Sequence, residues 1–338
     1  MRKGYLVLFA LTLFFGCKTT SNTVSAEHVI ITFGSCNKHD SENVFWDDIL
    51  AQKPDAFIWG GDIVYADTDK VDKIREFYQM QNKVPAYASL KEQVFITGTW
   101  DDHDYGLNDG GKEFVAKKES QQAFLDFMDV PIDSPRRKRG GVYSSQLISK
   151  PDGLVKIINL DTRYFRTELT NDARKGRRYK PNPVGEGTIL GDAQWKWLEN
   201  ELLSSKADFN LIVSSIQFLS NEHGFEKWAN HPNEVQKLKK LIAKSKAKGV
   251  IILSGDRHIS EFSKTDIEEL AYPLIDFTSS GLTHSYSSFS GEANPYRIKE
   301  VISTPSFGLL ELNLKSKEVS MKIMGDNGVV LQELKQSY

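Results

Sequence analysis

Residues that can bind metal ions follow several short apolar runs in the 338-residue sequence, each at the end of its run. Cys36 follows the first run and Asp62 the second, while Asp256 and His258 follow a later one. Thiolate, carboxylate and imidazole form a mixed donor set that suits a pair of unlike metal ions. Two ions about 4 Å apart can clamp the attacking and leaving oxygens of an in-line displacement and lower the pKa of a bound water. These residue types therefore predict hydrolysis of phosphoesters.

Asp62 is the expected bridge between the two ions, because it ends a central run and one carboxylate must bind both. Tyr65 lies three residues further on, where its phenol can turn toward the same centre. Asp256 and His258 stand two positions apart, so in an extended segment their side chains would point the same way and could ligate together. Glycines close before Cys36, Asp62 and Asp256 allow the tight turns that such an arrangement needs.

These residues can meet only if the apolar runs before them form strands of a common architecture. Strands are predicted at 29–33, 56–59, 94–97, 155–160, 211–215, 250–253 and 274–277, and in the tail at 307–314, 319–324 and 329–334. Helices are predicted at 43–52, 71–80, 118–128, 193–203 and 234–247. Most runs are continuously apolar, which favours sheets covered on both faces. We therefore expect an α/β fold of two packed sheets flanked by helices, with the site at the carboxyl ends of the strands.

Composition excludes several classes of protein and leaves one local feature. With 40% hydrophobic residues, 26% charged residues and two cysteines, the chain is not collagen-like, disordered or a disulfide scaffold. Its net charge of −2 predicts no general attraction to nucleic acid or to an acidic membrane. Residues 136–180 nevertheless contain 13 Lys and Arg against 4 Asp and Glu, which an anionic substrate could use. The basic runs there lack aromatic stacking partners, so no nucleic acid is expected as a partner.

The N-terminus is typical of an export signal. Arg2 and Lys3 precede an apolar run at 5–15 that is too short to span a bilayer and is followed by Gly16-Cys17. This ending resembles a bacterial lipoprotein box, in which the cysteine carries the lipid, although a plain cleaved signal remains the alternative. We expect a signal peptide at 1–16, a flexible tether at 17–27 and the phosphatase domain at 28–338. A lipid on Cys17 would anchor the exported protein to a membrane facing the periplasm or the cell surface.

Six short blocks in this order resemble the alkaline phosphatase D (PhoD-like) group of the calcineurin-like metallophosphoesterases. The blocks are residues 34–36, 60–65, 100–104, 160–163, 190–195 and 254–258. The resemblance implies a four-layer α/β/β/α sandwich of two mixed sheets flanked by helices. It also implies release of phosphate from mono- or diesters at a dinuclear site, with Fe3+ and Ca2+ as the expected ions. Cys36, Asp62 and Tyr65 would hold the iron, and Asp62, Asp256 and His258 would complete the pair.

The resemblance assigns four further residues, with one departure from the family pattern. Asp102 stands where related enzymes have a metal-binding asparagine, and Asn108 is a further candidate ligand. His103 would stabilise transition-state charge or protonate the leaving group. Arg163 looks like the guanidinium that grips phosphate oxygens in a forked geometry. Asp104 replaces the usual glutamate of the block.

Two other functions stay open at the level of sequence. The same dinuclear site could serve a phosphodiesterase or a phospholipase D-like enzyme, because a metal pair does not by itself distinguish monoesters from diesters. A lipoprotein that binds a phosphorylated ligand without turning it over is the alternative outside the enzymes.

Overall fold

The computed structural model describes residue 1 and residues 27–338. The predicted signal peptide at 1–16 and tether at 17–27, with Cys17, lie almost wholly outside the described residues and stay predictions. Within the part described, no helix is both long enough and apolar enough to cross a membrane.

Strands and helices alternate along most of the described chain. The strands are β1 His28–Gly34, β2 Ala56–Gly60, β3 Phe95–Thr99, β4 Ser144–Lys150, β5 Gly153–Asn159, β6 Thr170–Asn171, β7 Tyr179–Lys180, β8 Phe209–Val213, β9 Val250–Ser254, β10 Ser260–Thr265, β11 Leu274–Ser279, β12 Arg297–Ile302, β13 Phe307–Asn313, β14 Glu318–Met324 and β15 Val330–Ser337. The helices are α1 Trp46–Ala51, α2 Val71–Asn82, α3 Pro85–Gln93, α4 Asp102–Tyr105, α5 Lys117–Phe127, α6 Gly191–Leu203 and α7 Pro232–Ser245.

Two mixed sheets form the centre of the fold. The first has the order β15-β14-β13-β1-β2-β3, in which β1, β2 and β3 run parallel and the C-terminal strands antiparallel. The second has the order β12-β10-β11-β9-β8-β5-β4, with β5, β8, β9 and β11 parallel. Strands β6 and β7 pair separately as a short hairpin. The parallel strands of each sheet bring their carboxyl ends, and the loops that follow, to one edge.

Three apolar clusters hold the layers together. One lies between the sheets and includes Val29, Ile31 and Phe33 of β1 together with Leu211 and Ile251 of the second sheet. A second packs the first sheet against α1, α2, α3 and α5, and a third packs the second sheet against α6 and α7. The order of layers is therefore helix, sheet, sheet, helix, and the predicted fold of two mixed sheets flanked by helices is confirmed.

The ten predicted strands and five predicted helices are all present, with ends shifted by a few residues. Helices α3 and α4 and strands β4, β6, β7, β10 and β12 were not predicted. Strands β4 and β12 are the edges of the second sheet, and their side chains are mostly part-exposed, so they lack the continuous apolar run that marks a buried strand.

Candidate metal centre

The loops after β1, β2, β3 and β9 bring the predicted ligands together. Potential ligand atoms lie within 4.8 Å of one another in three groups: Cys36, Asp62 and His258; Asp62, Asp102 and His103; and Asp62, Asp101, Asp102 and Asp256. Asp62 belongs to all three groups, which is the position that a bridging carboxylate needs. Residues that lie more than 200 positions apart in the chain thus share one centre.

Thiol and phenol meet on one side of Asp62. The Cys36 Sγ lies 3.4 Å from Asp62 Oδ2 and 3.0 Å from the hydroxyl of Ser280. The Tyr65 hydroxyl lies 3.4 Å from the same carboxylate oxygen and 3.2 Å from His258 Nε2. Cys36 is the free cysteine of the described residues and is buried.

Four of these residues adopt a backbone conformation that side chains usually avoid. The φ angle is +58° at Cys36, +51° at Asp62, +66° at Asp256 and +54° at His258. Few residues other than glycine lie in this left-handed region, and those that do often belong to functional sites. The expectation that Asp256 and His258 share an extended segment is therefore wrong. They are placed by two left-handed turns after β9.

Asp102 stands on the other side of Asp62. Its Oδ2 accepts hydrogen bonds from the Asn108 amide at 2.8 Å and from the Asp109 backbone at 2.7 Å. Its Oδ1 accepts from the His103 backbone at 2.9 Å. Since Asn108 uses its amide nitrogen for Asp102, the amide oxygen remains available as a ligand.

His103 lies beside this carboxylate on the short helix α4. Its Nδ1 is 2.8 Å from Asp67 Oδ2, and its ring stacks on Tyr65 with 4.1 Å between the centroids. Burial alone would lower the pKa of His103, but the hydrogen bond to Asp67 and the charge of Asp102 outweigh it and raise the pKa. The shift favours the protonated form of His103, which is the form that a proton donor requires.

Ionisation of the acidic groups in the centre is unfavourable when no cation is nearby. Burial, with repulsion from the neighbouring acidic groups, raises the pKa of Asp62 well above its usual range and that of Asp256 to about 7. Burial raises the pKa of the Cys36 thiol to about 12. The buried Oδ2 of Asp101 has no hydrogen-bond partner. A thiol, a phenol and several carboxylates crowded together in this way fit a site for cations.

The structure contradicts the prediction that Arg163 grips substrate phosphate. Arg163 is 0% exposed, and its guanidinium pairs with Asp101 and, at 2.5 Å, with Glu226. Arg166 pairs with the other oxygen of Glu226 at 2.9 Å. Arg163 follows the end of a strand close to the site, but its guanidinium forms its ion pairs inside the protein. It supports the Asp101–Asp102 segment instead of facing a ligand.

A cleft of about 620 Å³ opens over the centre and contains Tyr65, Asp102, His103, Asn108, Asp256 and His258. Two cations in its wall are already neutralised, since Arg257 pairs with Glu292 at 2.7 Å and Arg178 pairs with Asp109 at 2.8 Å. Lys38 also lines the cleft and forms no ion pair among the described residues. It is the cleft cation best placed to meet a substrate anion.

Two residues near the centre were not among the predicted metal ligands or catalytic residues. Ser280 contacts the Cys36 thiol, and His284 Nε2 lies 3.1 Å from the Tyr65 hydroxyl. Both follow β11, so the strand-end rule applied to the predicted run at 274–277 points to them.

Comparison with known proteins agrees with this arrangement. Residues 31–323 match the family described as PhoD-like phosphatase. Alkaline phosphatase D of Bacillus subtilis (strain 168) is 25% identical over 189 residues, which cover 50% of this chain and 32% of that relative. The chain therefore matches about a third of the relative's length.

Solved structures share the fold at low sequence identity. A structure of PhoD aligns with 92% of this chain and 68% of its own, at 18% identity and a TM-score of 0.70. GAP50, the anchor in the inner membrane complex of Plasmodium, aligns with 92% of this chain and 89% of its own, at 13% identity and a TM-score of 0.59. A dimetal phosphatase from Danio rerio aligns with 92% of this chain and 99% of its own, at 13% identity and a TM-score of 0.50. Because the family match extends over most of the chain, this protein belongs to the PhoD-like phosphatase family.

Proposed function

We propose that the protein hydrolyses phosphoesters and releases phosphate at a dinuclear metal site centred on Asp62. The observation that carries the proposal is that Asp62 belongs to three groups of potential ligands, each within 4.8 Å. Two metal ions supply Lewis-acid stabilisation of phosphoryl charge and an activated water. Membership of the PhoD-like phosphatase family supports the same chemistry.

The donor atoms suggest two different ions. Cys36 and Tyr65 offer a thiolate and a phenolate next to Asp62, a set that suits Fe3+. Asp102, Asn108 and Asp256 offer oxygen atoms, the donors that Ca2+ prefers, and His258 would complete the pair. We therefore propose Fe3+ with Ca2+ as the resident ions.

Two side chains of the cleft act on the substrate directly. His103, held by Asp67 at 2.8 Å, would donate a proton to the leaving-group oxygen. Lys38 would attract and orient the phosphoryl group, the role that sequence had suggested for Arg163.

Turnover of two synthetic esters by the purified full chain tests this proposal. We expect metal-dependent hydrolysis of para-nitrophenyl phosphate, lost on chelation and restored by adding ions back, with elemental analysis identifying the ions. The bis(para-nitrophenyl) ester measures the diesterase or phospholipase D-like alternative. Chelated and reloaded Asp62→Asn protein, which keeps the side-chain shape, is the matched control. Tight binding of a phosphorylated ligand without turnover, by a metal-free protein, would instead support the binding-protein alternative.

We also propose that the protein is exported and anchored through a lipid on Cys17. The support is the sequence, in which Arg2 and Lys3 precede an apolar run followed by Gly16-Cys17. Labelling with a fatty-acid analogue should mark the wild type and leave the Cys17→Ser variant unmarked. Labelling of both proteins, or of neither, would contradict the lipid anchor.

A further inference from the structure

The phenol oxygen of Tyr65 has more polar neighbours than one hydroxyl can satisfy. Asp62 Oδ2 lies 3.4 Å away, His258 Nε2 3.2 Å and His284 Nε2 3.1 Å. A phenol has one proton to donate, and a phenolate has none but can accept several hydrogen bonds. The Cys36 thiol also interacts with this phenol, but as a metal ligand it would be a thiolate without a proton. The partner that donates to this oxygen therefore has to be one of the two histidines.

The two histidines differ in whether they lie close to other potential metal ligands. His258 shares a group of potential ligand atoms with Cys36 and Asp62, whereas His284 belongs to no such group among the residues described. A ring nitrogen that binds a metal uses its lone pair and carries no proton. If His258 Nε2 is a ligand, it cannot donate to Tyr65. His284 is then the neighbour left to do so.

The other nitrogen of His284 contacts a hydroxyl that can fix the position of its proton. Nδ1 lies 3.1 Å from Thr283 Oγ1, and that oxygen accepts a hydrogen bond from the Lys38 backbone at 2.8 Å. The hydroxyl can still donate one proton. Its other acceptor, the Cys36 carbonyl, is 3.3 Å away and already receives the Thr283 backbone N–H. The shorter contact favours donation to Nδ1, which places the ring proton on Nε2, toward Tyr65.

We propose that His284 is a positioning residue that donates a hydrogen bond from Nε2 to the Tyr65 oxygen and so holds it, as a phenolate, in place as a metal ligand. The inference rests on the proposed function, in which Tyr65 is a ligand. Partners of this kind orient a ligand and raise its affinity for metal, and their removal typically costs about 10–100-fold in affinity.

Binding of Fe3+ to the chelator-stripped full chain tests the role of His284 without relying on turnover. The readouts are Fe3+ affinity, by competition with a chelator, and the visible absorption of a phenolate bound to Fe3+. We expect His284→Leu to weaken Fe3+ binding about 10-fold to 100-fold and to shift the band. His284→Gln retains an N–H donor of similar reach and should recover most of the affinity. His28→Leu, at the opposite end of β1, is the matched control and should bind as the wild type does.

A double-mutant cycle with Tyr65→Phe separates positioning from general structural damage. If His284 acts through the phenol oxygen, His284→Leu should have no further effect on Fe3+ affinity once that oxygen is removed. An equal loss in both backgrounds, or an unchanged band and affinity in the single variant, would overturn the inference. Wild type and Tyr65→Phe that bind Fe3+ with the same affinity and spectrum would also overturn it, because Tyr65 would then not be a ligand. The proposed function fails on a different result, the lack of metal-dependent turnover by the wild type.

Discussion

Replacement of Arg163 by alanine should destabilise the protein much more than it weakens substrate binding. The guanidinium is fully buried and pairs with two buried carboxylates, those of Asp101 and Glu226. Removing one partner of a buried ion pair typically costs about 3–5 kcal/mol, because it leaves an uncompensated charge in the interior. Glu226 retains Arg166, so the larger loss falls on Asp101. We expect the free energy of unfolding to drop by about 3–5 kcal/mol.

The same change should lower kcat with a smaller effect on KM. Asp101 lies directly before Asp102, and Arg163 also reaches the Gly110 carbonyl at 3.4 Å in the loop after Asn108. Without the guanidinium, both the Asp102 carboxylate and that loop lose a support. A displaced ligand alters the chemical step, whereas a lost substrate contact alters binding.

Chemical denaturation of three variants, with steady-state kinetics on each, tests the role of Arg163. Arg163→Lys keeps the charge but not the forked geometry, so its loss of stability should be intermediate. Arg75→Ala is the control, because the Arg75 and Asp72 side chains pair on the exposed face of α2, where such a pair is worth about 0–1 kcal/mol. Normal stability of Arg163→Ala combined with a raised KM would refute the reasoning and restore Arg163 as a contact of the substrate phosphate.

Three further changes test the centre and the cleft. Asp62→Asn should reduce bound metal, measured by elemental analysis, more than Cys36→Ala does, because Asp62 belongs to all three ligand groups; equal losses would contradict its bridging position. Asp256→Asn should raise the unfolding free energy of the metal-free protein at pH 8 by about 2 kcal/mol and leave it unchanged below about pH 4, as measured by denaturation. The pKa of Asp256, raised to about 7, means that folding favours the protonated acid. The free energy of unfolding of the wild type therefore falls as pH rises from about 4 to 7. The full slope is about 1.4 kcal/mol per pH unit, and the expected change is smaller because Asp256 is partly exposed. Lys38→Ala should raise KM a few-fold with little change in kcat, since an exposed charge contact is worth about 1 kcal/mol. It should also reduce the salt dependence of kcat/KM. An unchanged KM would exclude Lys38 as a substrate contact.

The rule that strand ends converge accounts for how much of the centre could be predicted. It requires only that parallel strands share an edge, and it placed Cys36, Asp62 and Asp102 correctly because each follows a strand of the first sheet. It failed for Arg163, because position at a strand end does not fix the direction of a long side chain. The partners that turn this side chain inward, Asp101 and Glu226, lie 62 and 63 residues away.

Polar residues in the core explain why part of the second sheet was missed. Strand β10 buries Ser260, Glu261 and Ser263, so its sequence lacks an apolar run. Their polar atoms are satisfied by distant partners, such as Arg297, which donates to Glu261 at 2.5 Å. Hydrophobic patterning detects burial only where the buried atoms are apolar, and a sequence does not show which polar groups will be paired.

The left-handed residues of the centre connect strain with charge. An unfavourable backbone conformation costs of the order of 1–3 kcal/mol at each position, and glycine would adopt it freely. Yet the chain has Cys36, Asp62, Asp256 and His258 at four such positions. The side chains therefore do something that glycine cannot do, and three of them, Cys36, Asp62 and Asp256, add buried acidic groups that are negatively charged when ionised. Bound cations would offset that charge and would be coordinated by the same four side chains. Cation binding therefore explains both the strained backbone and the crowding of acidic groups.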